Sequence, residues 1–246
     1  METKYLLPRV WDVPQVFRDR LGSRVGRQRV MVADGHLLLV LHVPPGPDQT
    51  ERLGRFLWRK PDGTWMSNDL GSGSHVVGKH LDQFAKTIQD CDAQEEQATT
   101  AEDYFAVLEH LAPTLRTAKN LHAVLQEARQ ACPDDRDLIN FRDRAYEIER
   151  TAELLQTETK RSWDLLMARK ADEQAKAGRR MAASAHRLNL LAAFFFPIAA
   201  LSGILGVNLT HGLEALAPPQ PFLAFVAIGL ISGLILMAFV AAANRN

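Results

Sequence analysis

The hydrophobic pattern changes character along the chain, and the change divides it. Leu188–Leu209, LNLLAAFFFPIAALSGILGVNL, and Pro221–Ala243, PFLAFVAIGLISGLILMAFVAAA, contain no charged side chain. Crossing ~30 Å of hydrocarbon takes about 20 apolar residues at helical rise, so each run is long enough to span a membrane. A hairpin buried inside a soluble protein would need a large apolar core around it. The remainder of the chain is too polar to supply one.

Upstream of the first run the pattern is helical. From Asp134 to Gly206 the only proline is Pro197, and Pro133-Asp134-Asp135 makes a good helix start, with acidic side chains at the positive end of the dipole. An uninterrupted helix there would hold about 73 residues and extend ~110 Å. Phe141, Ala145, Ile148, Ala152, Leu155, Thr159, Ser162 and Leu166 recur at spacings of four and three. That heptad-like stripe predicts packing against neighbouring helices through a loose seam, because half its members are small. Alanines at 171, 175, 177, 182, 183 and 185 then thin the helix as it nears the apolar run.

The first 133 residues mix strand and helix patterns. RVMVADGHLLLVLH (29–42) and RFLWRKPDGTWM (55–66) each set Asp-Gly between β-prone runs, a strong hairpin signal. GSGSH (71–75) lacks the ending of a P-loop and the strand–helix context of a dinucleotide site, so it reads as a turn. Helices follow over Gly78–Cys91 and Ala101–Ala131, the second broken or kinked at Pro113, with Asp90–Glu102 as a polar connector. The expected architecture is an α+β cytosolic head with strands then helices (1–133). A very long stalk helix (134–187) continues into transmembrane helix 1 (188–209), and an outer loop (210–220), transmembrane helix 2 (221–243) and a cytosolic tail (244–246) complete the chain.

Charge refines this picture. The 246 residues carry 29 basic and 29 acidic side chains, a balance that argues against a nucleic-acid partner. After Arg187 only Glu214 and Arg245 are charged. Arg169, Lys170, Lys176, Arg179, Arg180 and Arg187 precede the first apolar run, whereas THGLEALAPPQ between the runs has no Lys or Arg. By the positive-inside rule both termini face the cytoplasm and the loop faces outward. The N-terminus lacks the pattern of a secretory signal. The basic side chains before the span are expected to reach lipid headgroups.

Candidate chemistry is sparse in the head. Cys91 and Cys132 have no metal or redox spacing and read as two reduced, structural thiols. His80 and Asp82 are two residues apart and would not share a helix face, so with His75 they read as solvated side chains. No nucleophile–base grouping stands out, and an enzyme is not expected. Two helices in lipid enclose no hydrophilic path, so transport would require several copies around an axis.

The residues FPIAALSGILGVN (196–208) carry a proline, spaced glycines and a terminal Gly206-Val207-Asn208. With the long preceding helix, the short outward loop and the second span, they resemble the CorA family of divalent-cation channels, whose signature is Gly-Met-Asn. Valine in place of methionine is a departure that leaves the ion open. The resemblance implies a homopentamer of CorA-like fold in a bacterial inner membrane, with first spans lining the pore and second spans facing lipid. It implies that Gly206, Val207 and Asn208 form the selectivity mouth and that Asn208 meets the hydrated metal ion. Glu214 would attract cations at the outer loop, and Leu188, Phe196, Ala199 and Gly203 would line or gate the pore. Glu147 falls where a regulatory cation-sensing carboxylate is expected, an ordinary solvated glutamate being the alternative. Mg²⁺ is the expected substrate, with Co²⁺, Ni²⁺ or Zn²⁺ as others, and no tightly bound cofactor is implied. A membrane-anchored oligomeric scaffold or cation sensor that transports nothing is the rival reading.

Overall fold

A computed structural model describes residues 6–46, 52–205 and 219–243. The chain divides into two compact units, Met1–Ala168 and Arg169–Asn246. Within the first, a short helix α1 (Gln15–Asp19) precedes four strands, β1 (Arg29–Ala33), β2 (His36–His42), β3 (Gly54–Arg59) and β4 (Trp65–Ser67). Three helices follow: α2 (His75–Gln97), α3 (Ala101–Ala131) and α4 (Arg136–Leu205), which runs on into the second unit; α5 (Gln220–Ala243) comes last.

The strands form one antiparallel meander in chain order. Asp34 and Gly35 both adopt positive φ, 50° and 78°, so β1 and β2 join through a two-residue turn whose twist suits a hairpin. Asp62 receives the Thr64 amide at 2.8 Å, and Gly63 supplies the positive φ of the second turn. GSGSH is a turn as far as Ser74, with Ser72 bridging Met66, and α2 starts at His75.

β2 is apolar on both faces. Leu37, Leu39 and Leu41 join Leu57 and Trp65 against α2, α3 and the first part of α4. Leu38 and Val40, with Met31, Phe56 and Trp58, pack under Leu7, Trp11, Val13 and Phe17 of the N-terminal segment. The head is therefore three layers thick, with N-terminal segment, sheet and helices stacked in that order. Arg18 fastens the outer layer by donating to the carbonyls of Pro8 and Trp11, at 3.2 and 2.7 Å.

The helices differ from the sequence expectation in extent. α2 runs to Gln97, so most of the anticipated connector is helix: DAQEEQ contains no glycine or proline to stop it. α3 begins with a capping box, in which Thr100 Oγ1 accepts from the Asp103 amide and Asp103 accepts from the Thr100 amide. It then continues through Pro113 to Ala131 without a break.

The stripe on α4 packs within the chain's own head. Ala145, Ile148, Ala152 and Leu155 are buried in the same core as Leu111, Leu115, Leu121 and Leu125 of α3. Polar ties flank the seam: Lys119 to Glu153 at 2.5 Å, His122 to Glu149 at 2.7 Å, and Ser162 to Glu95 at 3.3 Å. Asp135 caps the start of α4 by accepting from the amides of Asp137 and Leu138, and its other oxygen binds Arg59 of β3 at 2.7 Å. One side chain thus fixes the beginning of the long helix to the sheet.

Candidate functional site

In the second unit, α5 lies antiparallel to the last part of α4. Gly229 faces Ile198 and Gly233 faces Phe194, so numbers rise along one helix as they fall along the other. A Cβ at Gly229 would stand 3.1 Å from Ile198 Cγ1, and one at Gly233 only 2.5 Å from the Phe194 carbonyl oxygen. The pair forms a GxxxG step, GLISG, which lets the two backbones approach. It escaped the sequence reading, although its four-residue spacing in an apolar run was the available signal.

At 100° per residue, Phe194 and Ile198 point to one side of α4. Leu188, Phe196, Ala199 and Gly203 fall within an arc of about 80° centred roughly 140° away. The fold therefore brings the four anticipated lining residues onto one face, the face turned away from α5. Leu188 is 66% exposed and Phe196 71% exposed, and nothing lies within 4 Å of where a Gly203 side chain would begin. Gly206, Val207, Asn208 and Glu214 lie outside the described residues.

This face carries no charge. Ser202 spends its hydroxyl on the Ile198 carbonyl at 2.8 Å, and Ser232 of α5 does the same with Ile228 at 2.6 Å, so both are satisfied without water. Pro197 has no amide to give, which frees the Ala193 carbonyl one turn earlier. An apolar, small-residue face can pack against like helices or narrow a water-filled path by dewetting. It offers no side chain that would strip water from a hard cation.

The apolar stretches of the two helices are almost wholly uncovered, 0% and 11% of their residues being buried. A core hairpin of a soluble protein would be enclosed; these helices are bare. They are the spans of a membrane protein.

Among the described residues of the head, a buried polar cluster surrounds Arg55. Arg55 of β3, only 4% exposed, grips Asp69 through Nε and Nη2 at 2.7–3.0 Å, and its Nη1 donates to Gln83 Oε1 at 2.5 Å and to His80 Nδ1 at 2.8 Å. Because arginine can only donate, His80 Nδ1 accepts and its proton sits on Nε2, a buried atom without a partner among the described residues. His80 is thus not a solvated side chain: α2 turns it inward, beside Phe84, where the sheet supplies its partner. Burial, reinforced by the Arg55 charge, pushes its pKa down to about 3. Burial opposes ionisation of Asp69, but hydrogen bonds from Arg55 and Ser67 outweigh it and hold the carboxyl below its usual range.

The other anticipated groups stay apart. Glu147 is exposed on α4, with no side-chain partner among the described residues. Asp82 pairs with Arg144 of α4, and no group of three His, Cys, Asp or Glu side chains converges as a metal site among the described residues. Cys91 and Cys132 are free thiols. Burial, with Asp90 nearby, raises the Cys91 pKa to about 11, which leaves it inert as a nucleophile.

No family model and no curated protein matches the sequence. Solved structures do match the fold. The structure of the full-length CmaX protein superposes with a TM-score of 0.55 over 95% of this chain and 82% of that one, at 16% identity. The fold is shared with CmaX. The cytoplasmic domain of ZntB from Vibrio parahaemolyticus RIMD 2210633 matches 65% of this chain and 80% of its own, with a TM-score of 0.54 and 11% identity. The complete CorA magnesium transporter from Methanocaldococcus jannaschii overlays more loosely, with a TM-score of 0.44 and 15% identity over 87% of this chain and 80% of that one. The match to CmaX covers 95% of this chain, whose elements run as a small antiparallel sheet, helices, one very long helix and a second apolar helix.

Proposed function

We propose that the chain is a homo-oligomeric membrane channel or transporter for divalent metal cations, with Mg²⁺ the first candidate and Co²⁺, Ni²⁺ or Zn²⁺ the alternatives. One observation carries this reading: the α4 face opposite α5, with Leu188, Phe196, Ala199 and Gly203, is apolar and bare in a single chain. Copies arranged around an axis cover that face and enclose the path that two helices alone do not. The GVN sequence at the end of the first span supports the same reading, as does the shared fold.

In this reading five copies surround the pore and both chain ends lie in the cytoplasm. Asn208 side chains form a ring of amide oxygens at the outer mouth. Mg²⁺ sheds water reluctantly, and amide oxygens hold it through that water without binding it too tightly to leave. Glu214 raises the local cation concentration outside. Leu188 and Phe196 set apolar narrowings, while Ala199 and Gly203 leave width between them.

The test is metal-resolved flux into vesicles holding the purified full-length chain. Asn208→Ala is expected to abolish uptake while the oligomer, counted by native mass spectrometry, stays intact. Normal flux of every divalent ion through that variant would remove the Asn ring from the reading. A stable monomer would remove the axial pore altogether and leave an anchored scaffold or sensor.

A further inference from the structure

One turn beyond Gly233, where glycine no longer holds the helices together, α4 and α5 leave a groove of about 470 Å³. Its walls are Leu190, Leu191, Phe194 and Met237, and its rim at the charged end of α4 is Arg187. The lining is apolar throughout, with the aliphatic stem of Arg187 completing it. Arg187 has neither an ion-pair nor a hydrogen-bond partner among the described residues. It is also the last charged residue before the uncharged run, with Arg180 two turns earlier on the same side of the helix.

We propose that this groove is a binding site for an anionic phospholipid, one acyl chain lying along Leu190, Leu191, Phe194 and Met237 while Arg187 binds the headgroup phosphate. The chemistry divides as a lipid divides. An apolar slot in a helix hairpin meets hydrocarbon, and an unpaired guanidinium at its end stands at headgroup level. Guanidinium favours phosphate because its planar fork donates two parallel hydrogen bonds. The flexible Met237 adapts the slot to chains of differing shape. The proposal rests on the membrane setting of the two helices and is independent of whether metal ions pass.

The full-length chain, reconstituted with equal phosphatidylglycerol and phosphatidylcholine and then extracted, reports its retained lipid by native mass spectrometry. Phosphatidylglycerol is expected to exceed phosphatidylcholine about fivefold. Arg187→Gln brings that ratio close to one, whereas Arg179→Gln, on another side of the helix, leaves it unchanged. Met237→Trp and Leu191→Trp fill the slot from opposite walls and lower retention of both lipids. An unchanged ratio in Arg187→Gln, or equal effects of the two arginine variants, overturns the phosphate site. Wild-type retention in both tryptophan variants overturns the groove. A disulfide linking Leu191→Cys of one copy to Met237→Cys of another in native membranes shows a second copy there instead, and also overturns it. Flux measured on the same vesicles keeps the two proposals separate: Asn208→Ala leaves the lipid ratio untouched even where transport fails.

Discussion

Gly233 of α5 lies so close to Phe194 of α4 that a single methyl group at Gly233 would stand 2.5 Å from the Phe194 carbonyl oxygen. Backbone cannot give way as a side-chain tip can, so Gly233→Ala must push the helices apart. The expected cost is about 1–3 kcal/mol, read as a lower unfolding temperature of the purified protein. Gly229→Ala meets Ile198 Cγ1 most closely, at 3.1 Å, and backbone only at 3.7 Å, and should cost less. Gly203→Ala meets nothing and should leave the single chain's stability unchanged.

The same contrast bears on transport. Phe196 is exposed in the single chain, so Phe196→Ala should leave folding intact while widening an apolar narrowing. Divalent-ion leak into vesicles should rise several-fold. Unaltered flux would move Phe196 out of the pore.

Asp135 serves α4 twice, as its cap and as the partner of Arg59. Asp135→Ala removes both and leaves a largely buried guanidinium unpaired, for an expected loss of about 2–3 kcal/mol. Asp135→Asn keeps a capping oxygen and should lose roughly half of that. Chemical denaturation followed by tryptophan fluorescence of the head distinguishes them.

His80 gives the head an acid sensitivity. Its folded pKa, about 3, lies below the ordinary 6.5, so the unfolded chain binds a proton in that interval that the folded chain refuses. Stability is full above pH 6.5 and falls as pH drops through 6 and 5, by up to about 1.4 kcal/mol per unit. Burial lowers the pKa of His42 too, with the same sign. His80→Gln keeps an acceptor for Arg55 and removes the proton site. Its unfolding midpoint should change less between pH 7 and 4.5 than that of the natural chain.

Much of this was legible because it is local. Asp34-Gly35 and Asp62-Gly63 marked their turns, and the two uncharged runs declared themselves by length alone. The spacing of Ala145, Ile148, Ala152 and Leu155 announced a packed seam. What the spacing could not name was the partner, which turned out to be α3 of the same chain. Leu7, Trp11, Val13 and Phe17 follow no helical or strand period, and they are buried only because the sheet's second face needs cover. His80 looked polar and solvated until the distant Arg55 turned it into a core residue. The GLISG step sat in an uncharged run with no polar face to set it off, where only the four-residue spacing of its glycines marked it.

The two-faced β2 strand has a consequence for how this chain tolerates change. In a strand with one wet face, a slip of one position is punished at once by burying polar groups. Here HLLLVLH would look almost equally acceptable shifted by one, since leucine would replace leucine on either side. The burden of keeping alignment passes to the Asp34-Gly35 pair, whose backbone admits one spacing. Inserting or deleting a single residue there would re-thread the meander without any visible insult to its composition. Two residues of solvent-facing turn act as the punctuation by which an otherwise ambiguous line is read.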